Sequence, residues 1–272
     1  MKVRTISGII AICFVIAAIT LNCYFSFVSV VILCVLAAFA TYEILHNTGC
    51  IKNIWFNLIA MLYAACAQLA YNLEADVIPL TVVYVIIVAL FAVFGHKNFA
   101  DRQVAMALGM PIAIAYAFSA FERLLNNADG NGVLYFVMLI NFSSVADTFA
   151  YFTGKAIGKH KLAPVVSPKK TIEGSLGGMI GSVIGAVAII LIFENLVGGV
   201  DINLPFFLII TPFMAVLGMI GDLFTSAIKR SYNIKDYGNL IPGHGGILDR
   251  TDSLLLVAPV LDILIKYTPI VS

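Results

Sequence analysis

Long unbroken apolar runs separated by short polar interruptions set the expected architecture of this chain. The runs occupy roughly Ile6–Leu21, Phe25–Leu45, Ile54–Tyr71, Val77–Gly95, Arg102–Leu124, Gly132–Phe152, Leu176–Val197, Leu204–Ala227 and Thr251–Tyr267. Each comes close to the about 20 residues that a helix needs to cross a bilayer. The strands of a membrane barrel would show short alternating segments instead. Lipid admits no third arrangement, because every backbone N–H and C=O must be paired internally. The pattern predicts an all-α polytopic membrane protein with nine transmembrane helices.

Composition removes the competing classes. Of 272 residues, 61% are hydrophobic and 11% charged, whereas a soluble domain carries about 25% charged residues. A soluble single-core enzyme and a disordered chain are excluded. A net charge of +1 offers no basic face, so no nucleic-acid partner is expected. The five cysteines form no C-x-x-C pair and are expected to pack as small apolar residues. The run after Met1-Lys-Val-Arg is expected to be an uncleaved first span, since a second apolar run follows at once.

The basic residues orient the spans. With the N-terminus in the cytoplasm, Lys2, Arg4, Lys52, Lys97, Arg102, Lys155, Lys159, Lys161, Lys169, Lys170, Lys229, Arg230, Lys235 and Arg250 fall inside, and only Arg123 and Lys266 outside. That bias is the one membrane insertion selects. The expectation is N-terminus cytoplasmic, C-terminus outside, with two long cytoplasmic loops at residues 154–175 and 228–250. Residues 1–131 read as scaffold helices and 132–272 as the catalytic region, because long polar loops in a compact membrane protein usually carry function.

The richest stretch is Ser226–Asp252, where acids, bases and a Pro-Gly-His-Gly-Gly turn crowd together. Asp222 lies just upstream, inside an apolar span, where a carboxylate is costly and marks a functional site. At helical spacing Asp222, Thr225, Ser226 and Lys229 share one face. Asp249 and Asp252 open the ninth span one turn apart, where they serve either as helix caps or as ligands. Lys229 and Arg230 serve either as headgroup anchors or as phosphate ligands. This mixture suits phosphoryl or nucleotidyl transfer. Mg²⁺ prefers one or two carboxylates together with phosphate oxygens, and Asp222 and Asp249 are the expected suppliers, with Asp147 and Asp252 as further candidates. The turn at Gly243, His244, Gly245 and Gly246 can bring backbone N–H groups to phosphate oxygens. No Walker A loop occurs.

A second cluster spans Asp147–Ser175. Asp147 lies within the sixth span, and Ser167-Pro-Lys169-Lys170-Thr171-Ile-Glu173 places two ammonium groups and two hydroxyls before a helix start, a good anion site. Thr171 and Glu173 can instead act as capping groups. The glycines at 174, 177, 178, 181 and 185 form a face suited to close helix packing.

These motifs resemble a known family. Ser226-x-x-Lys229-Arg230, Lys235-Asp236, Pro242-Gly243-His244-Gly245-Gly246 and Asp249-Arg250-x-Asp252, at their spacings, resemble the signature of the phosphatidate cytidylyltransferases. Asp147-x-x-Ala-Tyr-x-x-Gly and Ser167-Pro-Lys-Lys-Thr-x-Glu-Gly are similar to that family's second stretch. The resemblance covers the C-terminal half. It implies a Mg²⁺-dependent reaction of CTP with phosphatidate to give CDP-diacylglycerol and pyrophosphate. It also implies a homodimeric enzyme of the cytoplasmic (inner) membrane, embedded among membrane lipids, with its site facing the cytoplasm. On that reading Asp222, Lys229, Arg230, His244, Asp249 and Arg250 are catalytic. Ser167, Lys169, Lys170, Thr171, Ser226, Lys235, Gly243, Gly245 and Gly246 bind substrate. The rival class is an ion-coupled transporter using Asp147 and Asp222, but the motifs concentrate on one face, whereas alternating access needs features on both.

Overall fold

A computed structural model describes residues 2–25, 27–94, 101–127, 130–197, 202–240, 243 and 245–268. Helices form at all the expected runs. They are α1 (Lys2–Tyr24), α2 (Phe27–Tyr42) prolonged by a π turn (Glu43–Asn47), α3 (Ile54–Asn72), α4 (Ile78–Phe94) and α5 (Asp101–Leu125). Then come α6 (Gly132–Ile140), a π turn (Asn141–Val145) and α7 (Ala146–Ile157), which continue as one rod. A short hairpin of β1 (Lys161–Ala163) and β2 (Ser167–Thr171) precedes α8 (Ile172–Ile192), a third π turn (Phe193–Val197) and α9 (Leu204–Ser231). The chain closes with α10 (Leu248–Thr251) and α11 (Leu254–Tyr267).

Among the described residues, six helical stretches are long and apolar enough to cross a membrane: Phe27–Asn47, Ile54–Asn72, Asp101–Leu125, Gly132–Ile157, Ile172–Asn195 and Leu204–Ser231. The apolar stretches Cys13–Asn22 and Ile78–Phe94 are shorter. Large apolar side chains such as Val82, Ile86 and Val93 of α4, or Ile180, Ile184 and Leu191 of α8, face outward, as lipid rather than water requires. The chain is an all-α membrane protein, with a two-stranded antiparallel hairpin among the described residues.

Two stretches differ from expectation. The loop expected at 154–175 is shorter, because α7 runs on to Ile157 and the hairpin takes up most of the rest. The ninth apolar run is not one helix from Thr251. Asp252 Oδ1 accepts the backbone N–H of Ser253 at 2.8 Å. That local bond competes with helical pairing and separates α10 from α11.

The chain folds as two compact units that do not follow sequence order: Met1–Glu122 with Ser231–Thr251, and Arg123–Arg230 with Asp252–Ser272. In the first, Asn53 caps α3 by accepting from the N–H groups of Trp55 and Phe56 at 3.0 and 3.2 Å. Tyr63 of α3 stacks on Tyr84 of α4 with ring centroids 4.1 Å apart, and the Tyr84 hydroxyl donates to the Ala107 carbonyl of α5 at 2.7 Å. The buried Glu122 carboxylate accepts from Asn72 and joins α5 to α3.

In the second unit, α7 and α8 lie backbone to backbone along the glycine face. A Cβ at Gly178 would meet the Ala146 carbonyl at 2.8 Å, and one at Gly174 would meet the Ala150 carbonyl at 2.7 Å. The amide of Asn141 crosses to the Ser182 carbonyl at 2.9 Å. On α9, Gly221 admits the backbone of Asp252 and Ser253, with Asp252 O 2.9 Å from where its Cβ would stand. Arg123 pairs with Asp262 at 2.6 Å, binding the end of α5 to α11.

Candidate active site

The second unit gathers six of the singled-out residues, Asp147, Ser167, Lys169, Lys170, Thr171 and Asp222, around one cavity. α7 ends at Ile157, the hairpin folds back, and β2 runs directly into α8. The Thr171 hydroxyl accepts from Gly174 N–H at 3.1 Å, so Thr171 is the N-cap of α8. Glu173 reaches back instead: its carboxylate accepts from the backbone N–H groups of Lys159 and His160 at 3.1 and 3.2 Å, and contacts His160 Nδ1 at 2.6 Å. The hairpin is thereby pinned to the helix start. Gly154 and Gly158 pass so close to the Thr171 side chain that a Cβ on either would lie 2.7 Å from Thr171 Oγ1.

This fold presents Lys169 and Lys170 on a strand whose side chains point to opposite faces. Lys169 is exposed, while Lys170 turns inward. Its ammonium lies 2.6 Å from Asp222 Oδ2 on α9 and 3.9 Å from Asp147 Oδ1 on α7. Three elements distant in sequence thus converge on one cation and two carboxylates. The cavity they border has a volume of about 600 Å³. Lys155, Lys161, Lys169, Lys170, Asp147 and Asp222 supply its charge, Ser167, Thr171 and Ser175 supply hydroxyls, and Gly154, Gly158 and Gly174 leave the wall low. That size and mixed lining suit a small polar ligand. The excess of ammonium over carboxylate favours an anion.

The strip expected on α9 is present. Asp222 Oδ1 accepts from the Ser226 hydroxyl at 3.3 Å, and the Thr225 hydroxyl donates to the Asp222 carbonyl at 3.1 Å. Thr225, Ser226 and Lys229 are buried. Asp252 and Lys229 both act on the Asp222 carboxylate, Asp252 through a side-chain hydrogen bond. Arg230 is exposed at the helix end. Two carboxylates in contact, with hydroxyls beside them, fit a hard divalent cation. The Lys170 ammonium already neutralises one of them.

The segment 231–251 belongs to the first unit and is organised differently. Asp249 Oδ2 accepts from the backbone N–H groups of Tyr237 and Gly246 at 2.7 and 3.0 Å. Gly243 and Gly245 hold positive φ, +78° and +87°, which only glycine adopts without strain. A Cβ at Gly245 would also press on Asp249. Arg250 and Lys235 are exposed. His244 lies outside the described residues. The Tyr232 hydroxyl donates to Cys50 Sγ at 3.1 Å, and burial, with Cys50 beside it, pushes this phenol up to about 12.

A residue missing from the expected set stands out here. Glu43, in the N-terminal half read as scaffold, is 4% exposed. It accepts from the N–H groups of Ile247 and Leu248 at 3.0 and 2.9 Å. The signal available in the sequence was a carboxylate at the end of an apolar run, the same signal that singles out Asp222.

A cytidylyltransferase family profile matches residues 2–268. The chain belongs to the cytidylyltransferase family. It is 32% identical over 272 residues to the phosphatidate cytidylyltransferase of Staphylococcus haemolyticus, covering 97% of this chain and 99% of the relative. It is 33% identical over 276 residues to that of Staphylococcus epidermidis, covering 98% and 100%. To the enzyme of the same name from Bacillus subtilis it is 40% identical over 177 residues, covering 65% and 64%. The similarity therefore reaches the N-terminal helices, beyond the motifs of the C-terminal half.

Proposed function

We propose that this chain transfers the cytidylyl group of CTP to phosphatidate, releasing pyrophosphate and forming CDP-diacylglycerol. The observation that carries this reading is the convergence of Lys170, Asp147 and Asp222 beside a cavity rich in lysines, in a chain matched along its length by relatives named for that activity. A phosphate oxygen of phosphatidate attacks the α-phosphorus of CTP. The new P–O bond forms as the bond to the β-phosphate oxygen breaks, and that oxygen leaves as pyrophosphate. The nucleophile is already anionic, so the protein needs no strong base. Its work is positioning and charge stabilisation.

The residues take roles accordingly. Lys170 and Lys169 hold phosphate oxygens at the cavity, helped by Ser167 and by the N-terminal turn of α8, whose N–H groups favour anions. Lys229, Arg230 and Arg250 neutralise the triphosphate and the leaving group. Asp222, with Asp252 against it, would hold Mg²⁺. Asp147 is a further candidate, and Asp249 stays in the reading as a carboxylate fixed by two backbone N–H groups. The cation would supply Lewis-acid neutralisation of the phosphate oxygens.

We extend the reading to topology and assembly. The basic-residue bias supports nine spans in the cytoplasmic membrane, with the N-terminus and the site in the cytoplasm and the C-terminus outside. The family resemblance supports a homodimer. Labelling of single cysteines with a membrane-impermeant thiol reagent tests the first, and light scattering on the purified protein tests the second. No observation favours the transporter.

The deciding experiment supplies the purified protein in detergent with labelled CTP, phosphatidate and Mg²⁺. Cytidine label extractable into organic solvent is expected. Its absence with folded protein would overturn the reading.

A further inference from the structure

The helical turn that carries Asp249 and Arg250 is held from the far end of the chain. Glu43 spans 204 residues to accept the N–H of Ile247 at 3.0 Å and 205 residues to accept that of Leu248 at 2.9 Å. These donors lie at the start of α10, where N–H groups have no partner within the helix. One turn further along the same π turn, the Asn47 amide donates to the Tyr237 carbonyl at 2.9 Å. Tyr237 in turn donates its N–H to Asp249 Oδ2 at 2.7 Å.

The loop is shaped to admit this carboxylate. A Cβ at Gly238 would stand 2.6 Å from Glu43 Oε1, and one at Gly246 would overlap the same carboxyl group. Both glycines therefore clear space for one buried side chain. A charge that is 4% exposed is costly unless it is bonded, and its bonds here go to the backbone beside Asp249.

We propose that Glu43 is a positioning residue for the transfer reaction: it fixes the backbone of Gly246–Leu248 and so sets where Asp249 and Arg250 point. This inference rests on the transferase reading for its kinetic consequence and on the contact itself for its structural one.

The test pairs the two. In Glu43→Gln one amide oxygen replaces two acceptors, and the new N–H₂ faces a backbone N–H. The bonds lost are charge-assisted, so a fall in kcat of about tenfold or more is expected, with the KM for phosphatidate little changed. Amide hydrogen exchange read by mass spectrometry should accelerate by about tenfold in the peptide covering residues 245–251, while α7 and α8 keep wild-type protection. Glu43→Asp, which keeps the charge on a shorter arm, should recover part of both. Gly246→Ala should reproduce the defect and add little to it when combined with Glu43→Gln. Unchanged exchange and unchanged kcat in Glu43→Gln would overturn the proposal. So would loss of protection throughout the protein with a lowered thermal transition, which would make Glu43 only a fold residue. A wild-type protein without transferase activity would sink the functional reading, and the exchange measurement would still decide the contact.

Discussion

Lys170 on the hairpin and Asp222 in the eighth apolar run meet at 2.6 Å. The pair is only part-buried, with side-chain exposures of 22% and 23%, so it opens onto the cavity instead of being sealed in a core. An ion pair placed there neutralises a carboxylate that would otherwise be expensive within an apolar span.

Asp222→Asn should abolish turnover, by about a hundredfold or more, if this carboxylate holds the cation. The protein should still elute as a single folded species from size exclusion, since the amide keeps the Ser226 contact. Wild-type turnover in the variant would remove Asp222 from the site.

Lys170→Met should leave Asp147 and Asp222 facing each other without their shared cation. The expected loss of turnover is about tenfold to a hundredfold, and Lys170→Arg should restore part of it. Initial rates across a range of phosphatidate and CTP concentrations would show which substrate the ammonium serves.

Chelation should stop the reaction and Mg²⁺ should restart it. The matching physical readout is the thermal transition: a cation binding only the folded state raises it. That rise should vanish in Asp222→Asn. An equal rise in wild type and variant would show that the ion binds elsewhere.

Gly178→Val should destabilise the second unit, because its side chain would press against the Ala146 carbonyl, 2.8 Å from the Cβ position. Overpacking of this kind costs about 1–3 kcal/mol. Thr171→Ala should cost about 1 kcal/mol through the lost cap, and Thr171→Ser should cost less. Thermal melts in one detergent would rank the three.

Helix positions were legible in the sequence because a lipid-facing helix needs only sustained apolarity, which Val77–Gly95 and Leu204–Ala227 display without ambiguity. The Asp222–Ser226–Lys229 strip was legible because its members sit on one helix at fixed spacing. The hairpin was not: Ser167-Pro-Lys-Lys-Thr has no apolar alternation to announce a strand, and its folding depends on Glu173 reaching back to Lys159 and His160. The split between Asp249 and Asp252 was hidden as well. A three-residue spacing reads as one helical turn until the Asp252 side chain takes the Ser253 N–H for itself. Glu43 was legible only as a carboxylate at the end of an apolar run; what it holds was not. Its partners are backbone groups two hundred positions away, and backbone N–H groups leave no signature in residue type.

On the function proposed above, the length of α9 bears on how deep the chemistry would lie. Its 28 residues, at 1.5 Å each, make a rod of about 42 Å, against about 30 Å of hydrocarbon. With Leu204 at one hydrocarbon edge, the surplus of about 12 Å is close to the rise from Asp222 to Ser231. Asp222 then sits at the opposite edge. A water-borne nucleotide can touch it without leaving the aqueous phase, and a lipid can reach it without lifting its acyl tails out of the oil.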